Sequence, residues 1–190
     1  MLFNHVHYES ADFELVDKPY TKSTYVCDLC ERIPVEDARF DYVLFNQVLE
    51  HVPYPRKALG ELFRVLKPGG KLLCTVPLFY EEHEQPYDFF RYTQFAHKHL
   101  FPEAGFEIEQ LDWLEGFFGT CGYMLRTIHF YLPNAVAGAP ISWLLAPFLF
   151  MIRWSALLGA AIFYRLDMRW KVTGAGFPKN YVVLATKPRS

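Results

Sequence analysis

The chain has 190 residues, 52% of them hydrophobic and 18% aromatic, and a formal net charge of −2. That length suits one domain with a full core, and the apolar content excludes an intrinsically disordered chain. The near-neutral sum hides an asymmetry, because residues 1–119 carry 11 basic against 20 acidic side chains while residues 120–190 carry 8 against 1; an acidic front half excludes general nucleic-acid binding, and a basic, apolar back half suits an anionic membrane surface.

In chain order, His7–Phe13 reads as a short strand containing Asp12, Lys18-Pro19-Tyr20 as loop, and Ser23–Cys27 as a second strand that stops before Asp28. Cys27-Asp-Leu-Cys30 has the spacing of a zinc or redox pair. No second Cys/His pair lies at ligand spacing, so the thiols are expected to be reduced and no metal site is expected. Ile33–Arg39 is loop. Phe40-Asp41 then opens a strand, Tyr42–Phe45, whose continuous apolar run predicts burial on both faces and whose polar end falls at Asn46.

Pro55 fits the first turn of a helix. Ala58, Leu59, Leu62, Phe63 and Leu66 recur at helical spacing, with Glu61 and Arg64 expected to face outward. Lys67-Pro68-Gly69-Gly70 is expected to stop that helix and lead into a strand at Lys71–Val76, giving a parallel, right-handed β-α-β unit. Phe95–Ala104 predicts a further helix closed by Gly105, and Phe106–Trp113 alternates like a strand with one solvated face.

The pattern changes from Gly119. Ile141–Ile152 and Trp154–Leu166 are almost wholly apolar, broken only by Pro147 and Arg153, and together approach the roughly 20 residues of a membrane span. The internal proline and arginine, and a return to strand pattern at Asn180–Thr186, favour a helical insertion lying on a membrane interface; an insertion packed on the domain or a partner, and a genuine span, stay open. The division expected is a core at 1–118, a hydrophobic, basic insertion at 119–172, and a last strand with tail at 173–190. Met1–His7 has neither the basic start nor the apolar run of a secretory signal, so a cytoplasmic location with membrane contact through 141–166 is expected.

Phe40-Asp41, Leu49-Glu50-His51-Val52 and Arg64-Val-Leu-Lys-Pro-Gly-Gly70, in this order and spacing, resemble the methyltransferase type 11 group of the class I S-adenosylmethionine (SAM)-dependent methyltransferases. The resemblance covers residues 7 to about 113, with 180–186 as a final strand. It implies a Rossmann-like α/β sheet, SAM as cofactor, and methyl transfer to a small-molecule or lipid-linked acceptor. SAM presents a ribose diol, an adenine edge and a charged methionine tail. By resemblance, Asp12 takes the diol, Asp28 with the Leu29 backbone takes the adenine, and Asn46 and Gln47 lie along the tail. Asp12 and Asp28 would also suit ordinary turns or caps.

Methyl transfer from a sulfonium needs in-line alignment and, for some acceptors, a base. The acceptor side is expected in Phe79–Thr93, with His83 as base, Arg91 holding an anionic group and Tyr92 lining the pocket beside Tyr80 and Tyr87; an acidic surface loop is the plainer alternative. His51 is expected to pack where the following helix begins. Members of the group start with a strand and a glycine-rich loop, yet the first glycine here is Gly60. An N-terminally truncated sheet is therefore expected, in which the Asp12 strand either pairs directly with Tyr42–Phe45 or detaches with residues 1–35. Weak SAM binding follows, and a non-catalytic, membrane-associated remnant is the competing expectation.

Overall fold

The computed structural model describes residues 5–13, 23–133, 142–174 and 176–189; the Lys18-Pro19-Tyr20 loop lies outside them. The chain divides into two units, Met1–Asp112 with Tyr181–Ser190, and Trp113–Asn180. The first unit begins with two short strands, β1 (Ala11–Asp12) and β2 (Tyr25–Val26), paired parallel with Ala11 opposite Tyr25. They form their own two-stranded ladder. Neither expected outcome for the Asp12 strand is met: it bonds to β2, and Glu9 ties the pair to the rest by accepting from the Tyr25 hydroxyl at 2.7 Å and from Arg39 Nη2 at 2.6 Å.

The main sheet has the order β3-β4-β6-β5. Strand β3 (Phe40–Asn46) and strand β4 (Leu66–Pro77) run parallel, from Tyr42 opposite Lys71 to Asn46 opposite Thr75. Helix α1 (Pro55–Val65) makes the crossover, with Pro55 in its first turn and Ala58, Leu59, Leu62 and Val65 buried against Leu72, Cys74 and Val76 in one apolar cluster. Burial of β3 on both faces does not hold: Phe45 is buried, but Tyr42 is 72% and Leu44 52% exposed.

Two local expectations are corrected. The helix ends at Val65, before Lys67-Pro68-Gly69-Gly70, with Leu66 already extended. Gly69 donates its N–H to Lys187 O, Lys187 donates back to Gly70 O, and Gly69 has φ +80°. Two residues facing one, the first a glycine in the left-handed region, is a glycine bulge; it lets β4 meet the chain leaving β6 (Asn180–Thr186). Glu61 and Arg64 do not face solvent either. Arg64 donates to Glu61, Asp37 and the carbonyls of Val35 and Ile33, while Glu61 accepts the Ile33 N–H at 2.8 Å. The pair clamps the Ile33–Arg39 loop onto α1.

Helix α2 (Gln94–Glu103) starts at Thr93, whose hydroxyl accepts from the Ala96 N–H, and ends in Gly105 at φ +97°. Strand β5 (Glu107–Trp113) follows. Its outgoing Leu114 donates to Asn180 O at the head of β6, which fixes β6 as antiparallel to β5. His97 on α2 is fully buried among the rings of Tyr92, Phe101 and Tyr181, with neither ring nitrogen hydrogen-bonded among the described residues. Burial alone lowers its pKa from 6.5 to about 4, so it folds as the neutral imidazole.

In the second unit, helices α3 (Phe117–Tyr131) and α4 (Ser142–Arg169) pack together. The two apolar runs form one helix that continues through Pro147 and Arg153. Arg153 Nε donates to His129 O and the His129 ring meets Arg153 O, so the mid-helix charge is held by α3. Asp167 accepts from the Gly116 N–H where α3 starts. Leu145–Arg169 is long and apolar enough to cross a membrane, with mean hydropathy 1.7 and 11% of it buried. Phe148, Phe150, Met151, Trp154 and Leu158 are each more than half exposed.

Arg64→Ala strands two loop carbonyls and the Glu61 carboxylate, and is expected to cost about 2–4 kcal/mol in urea denaturation. The His97 imidazole sets an acid limit. Its folded pKa lies below the unfolded one, so its contribution is complete above pH 6.5 and is lost as pH falls from 6.5 towards about 4. The loss amounts to about 3 kcal/mol, and His97→Leu should flatten the stability-versus-pH curve over that window.

Candidate functional site

In an open sheet of parallel strands, ligands bind outside the strands' carboxyl ends. At that end of β3 and β4 three polar residues form a chain. Gln47 donates its backbone N–H to Thr75 O at 2.9 Å and its side-chain amide to Thr75 Oγ1 at 3.2 Å, and the Thr75 hydroxyl donates to Asn46 Oδ1. Gln47 has φ +53°, a left-handed conformation rare for a side chain of this size. Asn46 and Gln47 were expected here; Thr75 was not, although a hydroxyl in the apolar run Leu72–Val76, near the strand's carboxyl end, was the available signal.

Asp12 ends β1, and its carbonyl accepts from the Cys27 N–H. Phe13, the next residue, stacks edge-on against Tyr87 at 6.0 Å, which brings the end of β1 to the Phe79–Thr93 segment. Asp28 caps its own turn: Oδ1 accepts from the Cys30 N–H at 2.8 Å and its carbonyl from the Glu31 N–H. Leu29 packs on the core. Cys27 and Cys30 are free thiols whose pKa values are pushed up, chiefly by burial, which makes them poor thiolate ligands.

The Phe79–Thr93 segment hangs on a 3-10 turn, Leu49–His51, each residue of which holds it at a different point. Leu49 O accepts from the Tyr92 hydroxyl at 3.3 Å. Glu50 O accepts from the N–H groups of Phe89 and Phe90, at 2.9 and 3.2 Å. His51 Nδ1 donates to Tyr87 O at 2.5 Å. Tyr92 is thus a core residue, and burial pushes its hydroxyl up. Arg91 braces the segment, donating to both oxygens of Asp88 at 2.6 and 2.8 Å and to the carbonyls of Tyr80, Glu81 and Phe90. That guanidinium holds Asp88 well below the usual carboxylate range.

His83 is brought opposite His51, Nε2 to Nε2 at 3.1 Å, with the rings near perpendicular. Beside them the Glu50 carboxylate is fully buried, 3.8 Å from His51 Nε2, and neither of its oxygens has a hydrogen-bond partner among the described residues. Burial pushes the Glu50 carboxyl up to about 7 and pushes the His51 imidazole down. Sequence reasoning placed His83 on the acceptor side and His51 in packing, and overlooked Glu50. The signal was a Glu-His dipeptide in a tight turn at a strand's carboxyl end. Gln47→Gly should leave stability within about 1 kcal/mol of the native chain, whereas Gln47→Val should cost about 1–3 kcal/mol in urea denaturation.

The methyltransferase domain family matches residues 5–74, which include Asp12, Asp28, Asn46, Gln47, Glu50 and His51. Among curated relatives, the ubiquinone/menaquinone biosynthesis C-methyltransferase UbiE of Brucella anthropi is 41% identical over 75 residues, covering 40% of this chain and 27% of its own length. The demethylmenaquinone methyltransferase of Staphylococcus haemolyticus is 34% identical over 89 residues, covering 44% and 35%. The chain therefore spans about a third or less of the length of these relatives. Among solved structures, the cyclase SpnF superposes with a TM-score of 0.51 at 20% identity, covering 87% of this chain and 56% of that one. A chain of the complex between the Haloferax volcanii Trm112 methyltransferase activator and a methyltransferase gives 0.50 at 19%, covering 90% and 64%. The structural likeness carries the fold alone; a cyclase and a methyltransferase share it. Residues 5–74, under half of the chain, are thus similar to the methyltransferase domain family, and the sheet of order β3-β4-β6-β5 belongs to the fold that these solved structures share.

Proposed function

We propose that the protein transfers a methyl group from SAM to a small-molecule or lipid-linked acceptor of the quinone class. The observation that carries this reading is the Asn46–Gln47–Thr75 chain at the carboxyl ends of two parallel strands, held through a left-handed Gln47. Polar groups and a constrained backbone at that position suit the methionine tail of SAM. Asp12 takes the ribose diol. Asp28, with one oxygen already bound to the Cys30 amide, offers the other to the adenine amine beside the Leu29 backbone.

On the acceptor side, Phe79–Thr93 is a braced segment rather than an open loop. Arg91 and Tyr92 act by holding it, and the imidazole pair His51–His83 is its reactive group. In the reaction the acceptor's nucleophilic atom forms a bond to the methyl carbon as the carbon–sulfur bond breaks, S-adenosylhomocysteine leaves, and the acceptor's proton passes to His83. The quinone class is supported by the names of the two curated relatives. The second unit supports a lipid-linked form: its exposed Phe148, Phe150, Trp154 and Leu158, with Arg126, Arg165 and Arg169 in the same helical pair, suit attachment to an anionic membrane surface. The protein works from the cytoplasmic side in this reading.

The test is transfer of label from methyl-labelled SAM to the reduced, quinol form of demethylmenaquinone, prepared with dithionite, in anionic lipid vesicles. The full chain should label the quinone, and Asp12→Asn and Asn46→Ala should each weaken SAM binding roughly tenfold in calorimetry, the loss expected for one charge-assisted hydrogen bond. SAM-independent heats together with an unlabelled acceptor would overturn the reading.

A further inference from the structure

We propose that Glu50, His51 and His83 form a binding site for one divalent transition-metal cation of the zinc class. The argument starts from where the protons must be. His51 Nδ1 faces the Tyr87 carbonyl, which can only accept, so His51 carries its proton there. His83 Nδ1 faces the Glu81 carbonyl at 3.1 Å and an Asp88 carboxylate oxygen at 3.3 Å, both acceptors, so it is fixed in the same tautomer. Both Nε2 atoms then present lone pairs to each other across 3.1 Å. Two lone pairs at that distance repel unless something positive lies between them.

The Glu50 carboxylate makes the same demand. It is fully buried, 3.8 Å from His51 Nε2, with no hydrogen-bond partner on either oxygen among the described residues. An unpaired buried carboxylate is costly, and a cation facing it removes the cost. One ligand atom from each of the three residues lies within 4.8 Å of the other two. Zinc–nitrogen bonds of about 2.0–2.1 Å in tetrahedral geometry set neighbouring ligand atoms about 3.3 Å apart, close to the separation of the two imidazoles.

The surroundings match such a site. Each imidazole is oriented through its second nitrogen, His51 by a backbone carbonyl and His83 by a carbonyl and the Asp88 carboxylate, which Arg91 braces in turn. Two imidazoles and one carboxylate suit zinc or a neighbouring transition metal; magnesium and calcium prefer all-oxygen sites. Three protein ligands leave a fourth position open for an oxygen of water or of an acceptor, and the His83 side chain is 27% exposed, so the cluster is reached by solvent. A proton and a cation compete for the same nitrogens, so the loaded form withdraws His83 from service as a base. The inference rests on this geometry and not on the methyl-transfer reading.

The test uses the full chain, stripped by chelation and titrated with Co2+ without SAM. The site predicts a visible absorption of low-coordinate cobalt that saturates at one equivalent and is displaced by Zn2+. Glu50→Gln and His83→Ala, each shown folded by circular dichroism, should lower cobalt affinity at least about tenfold, while His99→Ala, on the exposed surface of α2, should bind as the native chain does. A spectrum that stays that of hydrated cobalt, or retention of native affinity in both ligand variants, would overturn the proposal. Either result leaves methyl transfer undecided, and loss of methyl transfer with the cobalt signal intact counts only against the earlier reading.

Discussion

The Phe79–Thr93 segment depends on one buried 3-10 turn. Leu49, Glu50 and His51 each spend a different group on the following segment: a carbonyl on the Tyr92 hydroxyl, a carbonyl on the Phe89 and Phe90 amides, and a ring nitrogen on the Tyr87 carbonyl. The turn can do this because it is fixed from below, with Leu49 fully buried in the cluster built by α1, β3 and β4. A segment without regular structure from Leu78 to Tyr92 thereby gains an ordered backbone without strand or helix partners of its own. Asp88 and Arg91 complete the bracing from within.

That arrangement has an electrostatic consequence. Folding the turn inward buries the Glu50 carboxylate, and the segment it holds returns His83 to a point opposite His51. The tautomers imposed by Tyr87, Glu81 and Asp88 leave two lone pairs and a carboxylate around one small volume. Such a cluster is destabilising when empty of positive charge and is stabilised by a proton or a metal ion. Sites of this kind persist where function repays local instability. Their position beside the carboxyl ends of β3 and β4 is the place where an open α/β sheet keeps its ligands.

Much of this was legible in the sequence because it is written locally. The β-α-β unit follows from Pro55, the spacing of Ala58, Leu59 and Leu62, and the apolar strands on either side; Asn46 and Gln47 follow from the polar end of β3. The misses are all non-local. Helical periodicity puts Glu61 and Arg64 on an outer face, and nothing in that period shows that the Ile33–Arg39 loop returns to cover it. Pro68-Gly69-Gly70 reads as a stop, since its partner in the bulge, Lys187, lies on the last strand. Tyr92 looks like a pocket residue because a tyrosine has a polar tip, yet the tip is used on Leu49. The convergence of Glu50, His51 and His83 escapes notice because His51 and His83 are 32 residues apart and only the turn brings them together. Pro147 and Arg153 looked like breaks in the apolar run, but α4 continues through Pro147, and α3 supplies the partners that keep Arg153 inside one helix.

Amide hydrogen exchange at Phe89 and Phe90 in the native chain measures the anchoring by Glu50 directly. Both N–H groups donate to one carbonyl of a turn packed in the core, so their protection should approach that of β4 and should be lost only with global unfolding. Exchange at the rate of an open loop, while Leu72, Cys74 and Val76 stay protected, would contradict the view that the Leu49–His51 turn builds the site.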